Sequence, residues 1–340
     1  MSMVFLTGAE PGNALEWDLY NVTATGVQRR SGAYSFGFPG PGFYAQTNLT
    51  APGLAQAYLQ FAWRTSGFTG GPTQIPIVKW RNGANVLGVL AVDKATQLLV
   101  LYTGDFGILV GTATAPVNTA TWHVFEIYIS IANVGGQLVV RINGVPDPGL
   151  SFTGDTQPAG DTTFDNLYFM SWRTGSQYWT GWIDDVILND LAGGVNDSWP
   201  NGARIVYLPA SGVGNSSQWT PLSLPQNWQE VDEVPVSQAD YVHTNAQPRL
   251  DLYNLQNLPA DAQAVQAARA DAWALMSGAA TPTTLKPAVR TGGAPFFGPA
   301  QGVPLILTLL SHIWDQNPNT LANWTPADVN AAESGQESAP

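Results

Sequence analysis

Short segments rich in β-branched and aromatic residues follow one another from residue 55 to residue 190, and they constrain the fold more than any other feature of the chain. Three of them are "AYLQFAWR" (57–64), "QLLVLYT" (97–103) and "TWHVFEIYISI" (121–131), with Gly, Pro, Asn or Asp residues between such segments. In the third, alternate positions are apolar, which is typical of a strand with one face on a core. Strands that recur at roughly 10 to 15 residues without an intervening helical pattern predict an antiparallel β-sandwich and not a parallel α/β sheet.

A turn-rich sequence, "LAGGVNDSWPNGA", follows the last of these segments and marks a domain boundary. We therefore predict an all-β chain of two β-sandwich domains. The first would cover residues 1–192, the linker residues 193–203 and the second domain residues 204–340. A chain of 340 residues is long enough for two cores of ordinary size.

The second half of the chain has one ambiguous segment and one clear helix signal. Residues 260–278 are rich in alanine, which favours a helix, but alanine alternates with larger residues over part of the segment, which favours a strand. The sequence leaves both interpretations open, and the alternation tips the balance toward a strand. A short C-terminal helix is predicted from Thr325 as its N-cap and Pro326 at its first position, with Gly335 after its end. Residues 336–340 are then expected to form a frayed tail.

Composition argues against several classes of function. The chain has 25 acidic and 13 basic residues and a net charge of −12, so that a nucleic acid would be repelled. It has no cysteine, which excludes a disulfide framework, a thiolate zinc site and a thiol nucleophile. The amino terminus lacks the basic region of a secretory signal, and no apolar run reaches the length of a membrane span. We therefore expect neither a nucleic acid nor a membrane as a partner.

Three segments of the first half carry a resemblance to a known fold family. The strand "TWHVFEIYIS", the hairpin "GQLVVRINGV" and the strand "GWIDDVILND" resemble a LamG-type, concanavalin A-like jelly roll. The opening "FLTGAEPGNALEW" resembles the first strand of such domains, in which Glu10 and Gly12 match a short motif while Ala9 replaces its aromatic residue. This resemblance implies that the first domain is a jelly roll whose first and last strands are neighbours.

The whole arrangement also resembles a group of tailed-phage virion proteins. The similar segments are the connecting sequence "NDSWPNGARIVYLPASG", the phrase "DLYNLQNLP" and the ending "IWDQNPNTLANWTPADVNAAESG", so that the resemblance covers nearly the whole chain. It implies a non-enzymatic structural component of the virion surface, as a tail fibre, a head fibre or a capsid decoration protein. Other virion proteins would be its partners, and it would assemble in the host cytoplasm.

The resemblance also bears on assembly. Such proteins usually continue past the Ala-Glu-x-Gly segment into one more strand, whereas this chain stops at Pro340. The second sandwich would then either lack a strand or take one from a neighbouring subunit. A homo-oligomer is therefore expected, with a trimer as the first expectation.

Two adjacent carboxylates, Asp184 and Asp185, lie inside an otherwise apolar strand. Since neighbours on a strand point to opposite faces, only one of the pair is expected to face the interior. The resemblance places Glu10 nearby, and several such domains hold a structural calcium ion at this position, so that these three residues are candidate calcium ligands. The favoured alternative is that the carboxylates accept hydrogen bonds from loop amides or pair with Arg29 or Arg30. No other cofactor is expected.

A cluster of aromatic residues around a predicted hairpin is the second candidate site. Flat rings beside polar groups suit both sugar binding and protein interfaces. The candidate ligand or interface residues are Trp172, Arg173, Tyr178, Trp179 and Trp182. The other interpretation, in which the rings fill the core, applies first to Trp172 and Trp182. If the rings are exposed, the alternative function is a lectin-like carbohydrate-binding module that recognises a host-surface glycan.

Residues suited to catalysis are sparse. Glycosidases need two carboxylates at a fixed separation across a cleft. The laminarinase branch of the family implied above uses Glu-x-Asp-x-x-Glu, and the nearest sequence, "EVDEVP" (230–235), has Pro235 in place of the last glutamate. The three histidines are too scattered to bind a metal ion together. We therefore predict that the chain is not an enzyme.

Overall fold

The computed structural model is almost entirely β, which confirms the predicted fold class. It describes residues 3–49, 53–70, 74–158, 160–173, 176–278 and 282–339. The chain divides into two compact units. The first unit comprises the residues up to Glu10 together with Glu16–Ile205, and the second comprises Pro11–Leu15 and Val206–Pro340. Within the described residues, no helix is long and apolar enough to cross a membrane.

The first unit consists of two antiparallel sheets. Its strands are β1 (Met3–Thr7), β2 (Leu19–Tyr20), β3 (Thr23–Thr25), β4 (Ser35–Phe38), β5 (Tyr44–Asn48), β6 (Gln56–Thr69), β7 (Gln74–Asn82), β8 (Asn85–Asp93), β9 (Leu99–Thr103), β10 (Ile108–Thr112), β11 (His123–Ser130), β12 (Gly136–Ile142), β13 (Val145–Gly154), β14 (Asn166–Met170) and β15 (Tyr178–Asn189). An eight-stranded sheet has the order β13-β12-β11-β6-β15-β4-β3, with β1 also paired to β15, and a seven-stranded sheet has the order β10-β9-β8-β7-β14-β5-β2. The pairing of β1 with β15 confirms that the first and last strands are neighbours.

The core of the first unit is aromatic and lies between the two sheets. Phe61, on the eight-stranded sheet, packs edge to face against Phe169 on the seven-stranded sheet, with ring centroids 5.1 Å apart. Trp80 is fully buried and lies against Gly88 of the neighbouring strand, where a Cβ atom would come within 2.0 Å of the indole ring. A side chain at Gly88 would therefore displace the indole. Alternating apolar residues thus fill the interior of the sandwich.

The second unit is also built from strands. They are β16 (Ala210–Ser217), β17 (Thr220–Pro221), β18 (Val242–His243), β19 (Arg249–Leu255), β20 (Ala268–Ala274), β21 (Thr284–Thr291), β22 (Ala294–Phe297), β23 (Gln301–Gly302), β24 (Thr308–Trp314) and β25 (Glu333–Ala339). A six-stranded sheet has the order β16-β19-β25-β21-β22, with β23 also paired to β21. The pairs β17-β18 and β20-β24 form two small sheets, and a short 3-10 helix covers Asn227–Glu230.

The β20-β24 pair packs on the six-stranded sheet, and this contact forms the core of the second unit. Ala270 of β20 and Trp314 of β24 belong to one buried cluster with Val289 of β21, and Ala272, Leu285 and Leu310 form a second cluster. The segment of uncertain structure, residues 260–278, therefore contains a strand where alanine alternates with larger residues. Tertiary packing overrides the helix propensity of alanine at these positions.

The C-terminal helix, α1, spans Pro326–Asn330. Thr325 is its N-cap, with Thr325 Oγ1 accepting a hydrogen bond from the backbone of Asp328, so that the predicted start is confirmed. The predicted end is wrong, because Gly335 lies in β25 between β19 and β21. The expected frayed tail is wrong for the same reason, since Glu333–Ala339 is an inner strand with both neighbours paired.

Candidate functional site

A β-bulge in β15 brings both adjacent carboxylates to the same place. The register between β15 and β6 shifts between Asp184 and Ile187, and Asp185 has a φ of 49°. Both aspartates are 0% exposed. The expectation that only one of them faces the interior is therefore wrong, because the bulge interrupts the strict alternation of a regular strand.

Backbone and side-chain donors from residues 30 and 31 surround the two carboxylates. Asp184 Oδ2 accepts a hydrogen bond from the backbone N–H of Arg30 at 2.8 Å. Asp185 Oδ2 accepts one from Arg30 Nη1 at 2.6 Å, and its Oδ1 accepts one from the Ser31 hydroxyl at 2.5 Å. The loop amides and the Arg30 side chain among these donors are the partners expected if the carboxylates bond to the protein and not to a calcium ion.

Arg30 and Asp185 also bind the segment that follows β15. We call residues 199–205 of this segment the connector. Arg30 donates to the carbonyl oxygens of Gly202 and Ala203 at 2.7 Å and 3.0 Å. The backbone N–H of Ile205 donates to Asp185 Oδ1 at 2.8 Å. Asp185 and Arg30 therefore form an ion pair that holds the connector through its backbone.

Further polar side chains of the eight-stranded sheet continue this arrangement. Gln60 Nε2 donates to the carbonyl oxygen of Ala203 at 2.8 Å, and Glu126 Oε1 accepts the backbone N–H of Asn201 at 2.6 Å. Arg141 Nη1 lies 3.4 Å from Glu126 Oε2. Glu126 is paired directly across strands with Arg141 and Gln60, so the three side chains share one face of the sheet. We call these residues the polar row, which comprises Arg141, Glu126, Gln60, Asp185 and Arg30.

Part of the predicted linker, residues 193–203, packs against the strands of the first unit. Trp199 packs on Tyr58, with ring centroids 4.9 Å apart, and the guanidinium of Arg141 lies 4.8 Å from the indole. The first unit therefore extends to Ile205, beyond its predicted end at residue 192. The turn-rich composition did not reveal this docking, because backbone carbonyls and amides of such a segment can bond to buried side chains.

Glu10 lies beside Asp184 and Asp185, and one of its two carboxylate oxygens accepts a hydrogen bond. Its Oε2 accepts the backbone N–H of Ala33 at 2.8 Å, while Oε1 is buried and has no hydrogen-bond partner among the described residues. Burial raises the pKa of Glu10 to about 8, and the nearby Asp185 carboxylate adds to the rise. Burial also raises the pKa of Asp184 to about 9, again with a contribution from Asp185. Both groups therefore hold a proton at neutral pH.

These residues do not fit a structural calcium ion. Calcium takes six to eight oxygen ligands. Here both oxygens of Asp184 and of Asp185 accept hydrogen bonds from protein donors. Within the part of the chain that the structure describes, no group of His, Cys, Asp and Glu side chains is arranged to hold a metal ion.

The structure divides the candidate aromatic residues between core and surface. Trp179 is 0% exposed, and its indole lies 4.9 Å from the ring of Phe38, so the prediction of a ligand-facing ring is wrong for this residue. Trp172, Tyr178 and Trp182 are partly buried. The sequence treated Trp172 and Trp182 as the first candidates for the core, but the alternation along β15 buries Trp179 instead.

Replacing Trp179 by phenylalanine is expected to lower the free energy of unfolding by about 1–3 kcal/mol. The indole N–H donates to the carbonyl oxygen of Pro76 at 2.9 Å, and a phenyl ring would leave that buried carbonyl without this donor. Chemical denaturation of Trp179→Phe and of Trp182→Phe, a partly exposed control, measures the difference. Equal stability of the two variants would contradict the buried role of Trp179.

Arg173, the charged member of the aromatic candidate set, lies on a different surface from the polar row. Its guanidinium lies 3.7 Å from the centroid of the Phe106 ring. Residues of the polar row such as Gln60 and Glu126 were absent from the sequence-based candidates. The only sequence signal for these residues is a polar residue at corresponding positions of two strands. A single sequence does not distinguish such positions from a strand face that is exposed to solvent.

Comparisons with known proteins give low similarity. No protein-family model matches the chain, and no curated protein matches it in sequence. Among solved structures, it is similar to the cellulose-induced protein Cip1, with 14% identity, a TM-score of 0.42, and coverage of 54% of this chain and 96% of that one. It is similar to domain 4 of AbnA, a GH43 extracellular arabinanase from Geobacillus stearothermophilus in complex with arabinotriose, with 14% identity, a TM-score of 0.37, and coverage of 55% and 81%.

A mutant Trypanosoma rangeli sialidase with trans-sialidase activity is also similar, with 13% identity and a TM-score of 0.41. That match covers 55% of this chain and 30% of the sialidase. The chain therefore spans less than a third of that enzyme. At these identities and TM-scores, no function follows from the similarity.

Proposed function

We propose that this chain is a structural component of the surface of a tailed-phage virion, as a tail fibre, a head fibre or a capsid decoration protein, and that it is not an enzyme. The proposal starts from the resemblance of nearly the whole sequence to such proteins. The observation that carries it is the use of the buried carboxylates. Asp185 and Glu126, both 0% exposed, bond to the backbone of the connector.

This use of charge suits a structural role. General acid and base catalysis needs a carboxyl group that can reach a bound substrate. Asp185 and Glu126 instead satisfy backbone groups of the connector and have arginine partners, Arg30 and Arg141. Buried ion pairs add little net stability, but removal of one partner leaves an uncompensated buried charge and is strongly destabilising. They are therefore suited to keeping the connector in one place.

The second unit supports the same proposal. The phrase "DLYNLQNLP" supplies five residues of β19, and "NAAESG" runs from the end of α1 into β25. The two phrases come together, because Leu252 of β19 pairs with Gly335 of β25. A Cβ atom at Gly335 would lie 2.0 Å from the carbonyl oxygen of Asp251, so this pairing needs glycine. The phrases that resemble phage proteins thus form the framework of this unit.

We further propose that the chain assembles as a homo-oligomer, with a trimer as the expected state, in the host cytoplasm and then on the virion. Light scattering on the purified chain is expected to give about three times the 36.3 kDa of one chain. Addition of the calcium chelator EGTA should change neither the mass nor the melting temperature. A monomer that melts at a lower temperature in EGTA would contradict both the assembly and the metal-free cluster.

The virion assignment needs its own measurement. Gold-labelled antibodies raised against the purified chain are expected to mark the surface of intact tailed particles in the electron microscope. Antibodies against an internal enzyme of the same phage serve as the control and should leave the particles unlabelled. Label that is confined to debris of lysed cells would contradict the assignment.

A further inference from the structure

The outer face of the seven-stranded sheet carries aromatic and cationic side chains that the proposed function does not use. In β14, Leu167 and Phe169 are fully buried in the core, whereas Tyr168 between them lies on the other face and is partly exposed. Tyr168 pairs across strands with Lys79 of β7 and with Gln46 of β5. Directly paired residues of an antiparallel sheet share a face, so these side chains lie side by side on the outside of the sandwich.

Rings and cations on this face form two groups of contacts. The guanidinium of Arg81 lies 4.3 Å from the centroid of the Tyr168 ring, and the centroid of the Tyr44 ring lies 5.5 Å from that of Tyr168. The Lys79 ammonium lies 5.6 Å and the Arg173 guanidinium 3.7 Å from the Phe106 ring. We call this set the aromatic–cation row, which comprises Tyr44, Tyr168, Arg81, Lys79, Phe106 and Arg173.

An apolar floor supports one end of the aromatic–cation row. Val89, Ala91, Val100 and Tyr102 form a buried cluster on the same face of the sheet, and Phe106 packs against it. Phe106 has a φ of 55°, so the turn between β9 and β10 holds a non-glycine residue in the left-handed region. Packing on the floor and contacts with the Lys79 and Arg173 cations hold the Phe106 side chain in place, which lowers the entropy cost of binding a ligand beside it.

The cations of the row are incompletely neutralised. Lys79 pairs with Asp105, whose side chain is 56% exposed. Among the described residues, neither Arg81 nor Arg173 has a carboxylate within ion-pair distance, although the chain has 25 acidic residues for 13 basic ones. Arg81 is instead held in place by Asn166 Oδ1, which accepts its Nε and Nη2 donors at 2.9 Å and 2.8 Å. Asp165 and Asp105 lie near enough to Arg81 to act on it electrostatically, but neither forms an ion pair with it. A positioned guanidinium without a carboxylate in ion-pair contact is suited to receiving an anionic ligand.

We propose that the aromatic–cation row binds an acidic polysaccharide, a chain of sugar rings that carry carboxylate groups. The net charge of −12 repels such a polymer at long range, so the attraction would come from the cations of the row at short range. The partly exposed portions of the Tyr168 and Phe106 side chains would contact the apolar faces of sugars, and Arg81 and Arg173 would receive the carboxylates. This inference goes beyond the proposed virion role and does not depend on it. It also places ligand recognition on the seven-stranded sheet, whereas Trp179 lies in the core.

The test uses the full chain and two acidic polymers, polygalacturonate and hyaluronate. Isothermal titration calorimetry is expected to detect binding at low ionic strength that weakens as sodium chloride is added. Fully methyl-esterified polygalacturonate, which keeps the sugar backbone and loses the charge, should bind at least tenfold more weakly. The proposal would be overturned if neither acidic polymer binds, or if the esterified polymer binds as tightly as polygalacturonate.

Matched variants locate the binding surface. Arg173→Gln and Arg81→Gln are each expected to weaken binding by about tenfold, whereas Arg29→Gln, which removes the same charge elsewhere, should leave it unchanged. Melting temperatures identify any variant that fails to fold, and Arg173→Gln is the safer of the two because its contacts are with the Phe106 ring and the Gln74 amide. Equal weakening by Arg29→Gln would show that only net charge matters and would overturn the proposed site. Since oligomer mass and particle labelling do not involve the polymers, failure here leaves the virion role to be judged by its own tests.

Discussion

Replacing Arg30 by methionine is expected to lower the free energy of unfolding by about 3–5 kcal/mol. Methionine keeps much of the length of the side chain but removes the cation beside Asp185, a carboxylate that is 0% exposed. It also removes the donors to the carbonyl oxygens of Gly202 and Ala203. A buried charge without its partner costs far more than an exposed one, since water cannot replace the guanidinium there.

Urea denaturation of the wild-type chain and of Arg30→Met measures this effect. Arg29→Met is the matched control, because Arg29 is the adjacent residue, is exposed and donates only to the carbonyl oxygen of Gly26 in the described contacts. The control should stay within about 0.5 kcal/mol of wild type. If both variants lose the same small amount, the Arg30–Asp185 pair does not fix the connector.

Replacing Glu10 by glutamine is expected to stabilise the protein at mildly alkaline pH by several kcal/mol. Burial raises the pKa of Glu10 from its ordinary 4.5 to about 8, so the folded protein keeps a proton that the unfolded chain releases. Stability from this group is therefore fully present below about pH 4.5 and is lost as the pH rises to about 8. The slope within that window is about 1.4 kcal/mol per pH unit. Glutamine has no proton to lose and mimics the protonated side chain.

Urea denaturation at about pH 5 and at about pH 8.5 separates the two forms. Wild type and Glu10→Gln should differ little at the lower pH, and the variant should be the more stable at the higher pH. Asp184, with its pKa raised to about 9, leaves the variant a remaining decline toward alkaline pH. Asp155→Asn, in an exposed loop, should follow the wild-type curve. Parallel curves for wild type and Glu10→Gln would contradict a protonated Glu10.

Much of the first unit was predictable because its signals are local. Alternating apolar residues in "TWHVFEIYISI" specify β11, and the pairing of β1 with β15 followed from the resemblance of the first and last strands. The start of α1 was equally predictable, because Thr325 and Pro326 act within one turn of the helix. In each case the residues that decide the structure are close together in sequence or follow a strict period.

The bulge at Asp185 and the docking of the connector could not be predicted in this way. The extra residue at the bulge exists only relative to β6, which lies more than 100 positions earlier in the sequence. The connector reads as a linker because its glycine, proline and asparagine are typical of turns, while its partners, such as Glu126 and Gln60, are distant in sequence. β25 was missed because its serines and glutamates lack the β-branched and aromatic residues that signal a strand.

The docking of the connector also bears on the order in which the first unit folds. During synthesis the chain leaves the ribosome amino terminus first, so residues 199–205 emerge after every strand of that unit. Until they arrive, Glu126, Gln60 and Asp185 lack the backbone partners that they have in the finished structure. A nascent chain that has left the ribosome only as far as Asn189 would therefore contain all the strands of the sandwich, while the side chains of the polar row would still be accessible to water. The connector would cover these side chains in the last step of folding.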